Sequence, residues 1–164
     1  MTLIRSAYPA DAAAIAAIYN HYVNTTTITF EEAEVSAEVM ARRIATVISA
    51  KLPWLVLEEQ GEVLGYVYAS KWKERSAYRF SVESSIYLRP EACGKGHARG
   101  LYQHLCSLLR QSGVHLVIGG VALPNDASVG LHEALGFRPV GAFREVGRKF
   151  GRWIDVGYWQ LRLE

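Results

Sequence analysis

The chain has 164 residues, of which 50% are hydrophobic and 21% charged, with a formal net charge of +2. This is ordinary for a soluble globular protein with one sizeable core, so a single domain spanning residues 1–164 is expected. The charge is too small to indicate nucleic acid or a membrane surface as partner, and no run is long and apolar enough to span a bilayer.

The first residues, Met1 to Arg5, carry no apolar signal core, so a cytoplasmic location is expected. Cys93 and Cys106 lack CxxC spacing and the five histidines are scattered, so neither a structural disulfide nor a metal site is expected.

Thr2 to Ala7 reads as a first strand, punctuated by Tyr8-Pro9-Ala10-Asp11. Ile15, Ile18, Tyr19 and Tyr22 then recur at helical spacing. The threonines 25 to 27, with Ile28 and Phe30, disfavour helix and predict an extended loop. Ser36 is placed to cap a second helix with Met40, Ile44, Val47 and Ile48 on one face, and Pro53 stops it. Trp54 to Glu58 and Val63 to Ser70 read as strands joined at Glu59-Gln60-Gly61-Glu62. Lys71 to Tyr78 is polar and aromatic and predicts a loop. Phe80 to Leu88 is β-rich and ends before Pro90.

Gly94-Lys95-Gly96 follows, and Leu101, Tyr102, Leu105, Leu108 and Leu109 form the stripe of a third helix that Gly113 ends. His115 to Ala122 is a buried strand. Pro124-Asn125-Asp126 opens a short helix, closed by Gly136. Phe137 to Val146 and Trp153 to Leu163 are the last strands, joined across Gly147 to Arg152. The order is β-α-α-β-β-β-α-β-α-β-β. This is an α/β fold with a central mixed sheet of about seven strands and helices on both faces. Only the strands flanking the third helix need be parallel.

A strand, a glycine-rich turn and a helix aim backbone N–H groups at a phosphate. Here the spacing fails a Rossmann fingerprint, because the third glycine position holds Arg99, and a Walker loop is absent. The acyl-CoA pattern Q/R-x-x-G-x-G/A fits better. Laid on Cys93 to Ala98, it matches at Gly96 and Ala98 and departs at Cys93. On residues alone, the turn is either a pyrophosphate cradle or an ordinary strand-to-helix connection. Glu83, in a strand with Phe80, Val82 and Ile86, is either a wet-face residue or a carboxylate facing a cleft. His132 is either a helix-surface histidine or an acid–base group. Asn125 suits a helix N-cap or a ligand contact.

The chain resembles the GNAT superfamily of N-acetyltransferases and, within it, the phosphinothricin and methionine sulfoximine acetyltransferases. The resemblance rests on Ile18 to Val23, Pro53 to Val56, Gly65 to Ala69, Trp72 to Arg75, Val82 to Tyr87, Leu123 to Asp126, Leu131 to Phe137 and Lys149 to Asp155. It implies an enzyme that moves acetyl from acetyl-CoA to the amino group of a small amino-acid-like acceptor, by direct transfer and without a metal. Glu83 is then the general base, and His132 a proton donor to the thiolate or a second base. Leu88, Arg89 and Pro90 would flank the pantetheine, with a backbone N–H near Leu88 polarising the thioester carbonyl. Gly94, Lys95, Gly96, His97, Ala98, Arg99 and Gly100 would hold the pyrophosphate, Asn125 would contact the pantetheine arm, and Leu101 and Ser128 would also belong to the cofactor side. Phe30, Trp72, Arg75, Tyr78, Arg79, Ser85 and Tyr87 would line the acceptor side, where arginine suits a carboxylate or phosphinate. By period two, Ser85 and Tyr87 share the face of Glu83. A homodimer is common in similar enzymes. The rival readings are an acetyltransferase for protein N-termini or polyamines, and a non-catalytic CoA-binding sensor.

Overall fold

Local chemistry sets most of the element boundaries. Ser36 caps α2 (Ala37–Ser49), its side chain accepting from the Val39 N–H at 3.1 Å. Asn125 does the same for α4 (Asp126–Ala134), accepting from the Ser128 N–H at 3.1 Å. Gln60 and Gly61 both have positive φ, as a two-residue hairpin turn demands, and join β2 (Trp54–Glu59) to β3 (Glu62–Lys71).

The computed structural model describes residues 1–164. Its other elements are β1 (Thr2–Ser6), α1 (Ala12–Thr25), β4 (Ser81–Leu88), α3 (His97–Gln111), β5 (Leu116–Ala122), β6 (Arg138–Lys149) and β7 (Arg152–Arg162). The seven strands form one sheet in the order β1-β2-β3-β4-β5-β7-β6. Only β4 and β5, which flank α3, run parallel.

Period two divides the strand residues between two cores. Leu55, Leu57 and Val67 face α3, with Leu101, Tyr102, Leu105 and Leu109. Trp54, Val56 and Tyr66 face α1 and α2, with Ile15, Ile18, Met40 and Ile44. Each fully buried Leu or Ile contributes about 1.5–3 kcal/mol, so both helical layers are fixed to the sheet.

The last hairpin departs from expectation. The six-residue connection predicted across Gly147 to Arg152 is a turn at Phe150-Gly151, and both strands run further toward it. A register shift between Phe143 and Gly147 makes this possible. Glu145 takes φ 53° there, and its N–H donates to the Asp155 carboxylate at 2.7 Å. The bulge takes up residues 144 to 146, and beyond it Gly147, Arg148 and Lys149, expected in the connection, pair with Ile154, Trp153 and Arg152. Both cysteines are free, Cys93 exposed and Cys106 buried. No helix is long and apolar enough to cross a membrane.

Candidate active site

β4 and β5 share four register pairs, from Ser81↔Leu116 to Ser84↔Gly119, and then separate. Beyond that point each strand follows its other neighbour, β4 with β3 to Leu88 and β5 with β7 to Ala122. The split opens a cavity of about 280 Å³ whose opposite walls are Ser85 to Tyr87 and Gly120 to Ala122. The Arg89 N–H donates to the Leu64 carbonyl at 2.8 Å. Alternation along an antiparallel ladder therefore turns the backbone groups of Ile86 and Leu88 away from β3, toward the side that β5 has left. The Tyr22 hydroxyl occupies the Leu88 carbonyl. The Leu88 N–H is left aimed at the split.

Glu83 lies where the strands part and lines the cavity. Burial raises its pKa above the ordinary carboxylate value, and the charge of Lys73 opposes the rise. Across from it, Gly120 pairs with Tyr158 in the β5–β7 ladder. A Cβ on Gly120 would stand 3.1 Å from Tyr158 Cε1 and 3.5 Å from Glu83 Oε2. The carboxylate and the tyrosine ring thus meet over bare backbone.

Glu83, Ser85 and Tyr87 share one face of β4, and Ser84 faces the other way. Ser84 hydrogen-bonds Tyr102 of α3 at 2.7 Å, and Tyr102 bonds His132 Nε2 at 3.1 Å. His132 is only 3% exposed, and burial lowers its pKa. Its Nδ1 lies 2.7 Å from the Ser128 carbonyl. The split lets one cavity collect groups from both faces of the sheet.

At the far end of β4, Pro90 opens a short 3-10 turn and Gly96 caps α3. Gly94 and Gly96 hold φ of 75° and 82°, which only glycine adopts without strain. No side chain caps α3, so the first-turn N–H groups, including those of His97, Ala98 and Arg99, have no helical acceptor. A Cβ on Gly94, Gly96 or Gly100 would meet nothing within 4 Å, so the space over the turn is open. Lys95 and Arg99 are exposed beside it. Leu101 is buried in the α3 core, as its place in the apolar stripe predicts, so its side chain is not available as a cofactor contact. Arg89 pairs with Glu62 at 3.1 Å. Asn125 and Ser128 line the cavity while also making the α4 cap.

Of the expected acceptor residues, Phe30, Ser85 and Tyr87 line the cavity, and Trp72, Arg75, Tyr78 and Arg79 do not. Residues 76–78 coil into a 3-10 turn, and the Arg79 side chain closes back on it. Arg79 donates to the Ser76 carbonyl at 2.9 Å and lies 4.4 Å over the Phe80 ring. Arg75 and Tyr78 are exposed. Trp72 sits behind the cavity wall, edge-on to Tyr158 with centroids 6.0 Å apart. No lysine or arginine lines the cavity.

Its remaining walls include Ile28, Thr29, Tyr102, Val156 and Tyr158, which motif reading missed. Only the pairing of β5 with β7 reveals Tyr158 and Val156, which sit on β7 with period-two spacing. The last hairpin latches the loop carrying Phe30. Lys149 Nζ donates to the Thr29 carbonyl at 2.8 Å, and Phe30 lies against Gly147. No cluster of three or more His, Cys, Asp or Glu side chains is placed to hold a metal.

A desolvated carboxylate thus lines the cavity at the sheet split, and a glycine-rich turn follows the end of the same strand. The acetyltransferase (GNAT) domain model matches residues 4–157, and the chain belongs to that family of acyltransferases. It is 44% identical to phosphinothricin N-acetyltransferase of Alcaligenes faecalis, over 93% of this chain and 78% of that protein. It is 38% identical to the L-methionine sulfoximine/L-methionine sulfone acetyltransferase of Salmonella typhimurium, over 98% of this chain and 94% of that one. The crystal structure of a phosphinothricin acetyltransferase from Sinorhizobium meliloti, in complex with acetyl-CoA, superposes with a TM-score of 0.95 at 39% identity. That match covers 99% of this chain and 88% of the other.

Proposed function

We propose that residues 1–164 form one acetyl-CoA-dependent N-acetyltransferase domain, which acetylates a small amino-acid-like amine of the phosphinothricin, methionine sulfoximine or methionine sulfone type. Transfer is direct, with both substrates bound together. The observation that carries this reading is Glu83, a desolvated carboxylate lining the cavity at the point where β4 and β5 part.

The residues present suit acetyl-CoA. The turn at Gly94 to Gly100 has open space above it and first-turn N–H groups without acceptors. The Leu88 N–H faces the split as a spare strand edge. Residues 94 to 100 would hold the pyrophosphate, and Leu88 to Pro90, Asn125 and Ser128 the pantetheine. Bound there, acetyl-CoA supplies an activated acetyl thioester.

The chain's own groups do the rest. The Leu88 N–H is the backbone donor available to the thioester oxygen. An acceptor amine is mostly ammonium at neutral pH, and Glu83 takes its proton. The raised pKa makes Glu83 a better base than a solvated carboxylate. Phe30, Tyr87 and Tyr158 shield the acceptor side from water. Neither cysteine lines the cavity, which supports direct transfer over a thiol-bound acyl-enzyme.

The test is thiol release from acetyl-CoA across a panel of phosphinothricin, methionine sulfoximine, methionine sulfone, standard amino acids, polyamines and peptides with free N-termini. Turnover concentrated on the free amino-acid analogues is expected. Acetyl-CoA binding with no acceptor turned over would favour a sensor, and preference for peptides or polyamines would overturn the acceptor class.

A further inference from the structure

Behind the split, Ser84 of β4, Tyr102 of α3 and His132 of α4 form a chain of hydrogen bonds in which each proton has one direction. A carbonyl oxygen only accepts, so the His132 Nδ1 lying 2.7 Å from the Ser128 carbonyl carries a hydrogen. A neutral imidazole has one N–H, so Nε2 is the acceptor. Tyr102, 3.1 Å away, is then the donor to Nε2. The Tyr102 oxygen in turn accepts from the Ser84 hydroxyl at 2.7 Å. An imidazolium would reverse this order. Tyr102 would have to donate to Ser84, leaving Ser84 only the poorer bond to the Ile118 carbonyl at 3.4 Å.

Packing holds the ring in place. A Cβ on Gly119 would stand 2.7 Å from His132 Nε2, so the imidazole lies directly against the β5 backbone. Phe137 meets the ring edge-on, with centroids 5.0 Å apart.

We infer that Tyr102 is a positioning residue for acetyl transfer, whose hydroxyl holds His132 as the neutral Nδ1–H tautomer with Nε2 a proton acceptor. His132 is then not the acid that protonates the departing thiolate. The inference rests on the N-acetyltransferase reading. The proton count permits it. The acceptor nitrogen enters with three hydrogens as an ammonium and leaves in the amide with one, so two N–H bonds break. One S–H bond forms on CoA, and one proton leaves to solvent by way of Glu83. The second nitrogen proton matches the one that sulfur gains, so no residue has to bring a proton of its own.

The titratable groups on the surrounding elements are His97, Arg99, Tyr102, His104, Cys106 and Arg110 on α3, Glu83 and Tyr87 on β4, and Asp126 and Glu133 beside His132 on α4, while β5 carries none; of these, Tyr102 bonds the ring. Glu133 accepts from the Trp159 indole at 3.2 Å. The low pKa of His132 comes from burial, with the Ser128 carbonyl working against it, and it favours the same neutral state.

The experiment is histidine ¹⁵N NMR on the full chain, without substrates, through a pH titration. His132 is expected neutral near neutral pH, with Nδ1 protonated and Nε2 accepting. An Nε2–H tautomer or an imidazolium overturns the inference without reference to turnover. In Tyr102→Phe, His132 should titrate at higher pH than in wild type. Its kcat should fall about 3- to 10-fold, the worth of one neutral hydrogen bond, with acceptor KM near wild type. An unchanged histidine titration together with unchanged kcat overturns the assignment. Ser84→Ala, which spares the Tyr102–His132 bond, should keep the wild-type tautomer, and a switch of tautomer there overturns the deduced proton order.

Discussion

Glu83→Gln separates chemistry from stability because the two should move in opposite directions. The glutamine keeps the shape and the polarity but cannot take an ammonium proton. Loss of a general base costs about 10²- to 10⁴-fold in rate, or roughly 3–5 kcal/mol of barrier. Its neighbours at period two cannot replace it: Ser85 does not titrate near neutral pH, and burial keeps the Tyr87 phenol protonated. Stability follows from the raised pKa of Glu83. In acid, below the unfolded carboxyl value of about 4.3, both states bind the proton and the burial of Glu83 costs no charge. As pH rises through the unfolded and then the folded pKa, the ionised carboxylate weighs on the folded state alone. Glu83→Gln should therefore be more stable than wild type near neutral pH and equal to it in acid. The assays are urea denaturation across pH and the pH profile of kcat/KM with the best acceptor. Wild type should show an acidic limb, lying above the ordinary glutamate value, that the variant lacks. A variant that turns over at near wild-type rate, or keeps that limb, refutes Glu83 as the base. A variant less stable at neutral pH refutes the claim that its charge is poorly compensated.

Two glycines test the two ends of the site independently. A Cβ at Gly147 would lie 2.2 Å from Phe30 Cε2 and 2.5 Å from Cζ. Phe30 is 38% exposed, so its ring can swing outward. Gly147→Ala should raise acceptor KM by up to about tenfold through misplacement of that wall. Acetyl-CoA KM should stay unchanged and stability should shift by less than about 1 kcal/mol; steady-state kinetics with each substrate varied in turn checks the split. Gly96→Ala forces a Cβ into φ 82° at the α3 cap, at a cost of about 1–2 kcal/mol. It should weaken acetyl-CoA binding by calorimetry, while histidine NMR of the cavity residue His132 stays as in wild type.

The element order was legible because each element announces itself locally: apolar periodicity, a serine or asparagine cap, a glycine stop. The last hairpin was misjudged because its bulge at Glu145 depends on an aspartate ten residues away, Asp155, which periodicity cannot see. The acceptor side was least legible. Trp72, Arg75, Tyr78 and Arg79 have the composition of a recognition loop. The chain instead coils here into one turn of 3-10 helix on which Arg79 closes, leaves Arg75 and Tyr78 exposed, and sets Trp72 against Tyr158. Their absence from the cavity removes the argument that arginines there select an acidic acceptor. Tyr102 was read as core, and its 1% exposure agrees. What its hydroxyl does was hidden, because a helix stripe records that a residue is buried and not which strand lies beneath it.

The deeper reason that the chemistry resists one-dimensional reading is the parting of β4 and β5. Alternation assigns Glu83 and Ser84 to opposite faces, and in an intact sheet they would serve separate layers. Parallel pairing stops after Ser84↔Gly119, while the β3–β4 and β5–β7 ladders continue on either side. The gap removes the backbone that would divide the layers. Glu83 then reaches the same cavity as Tyr102 and His132, and Ile86 and Leu88 present backbone groups that no strand uses. One structural event thus produces the cavity, the spare strand edge and the meeting of a carboxylate with a buried hydrogen-bond chain. A sequence shows both strands as continuous apolar runs, and where two such runs cease to pair is decided by the neighbours that hold each of them.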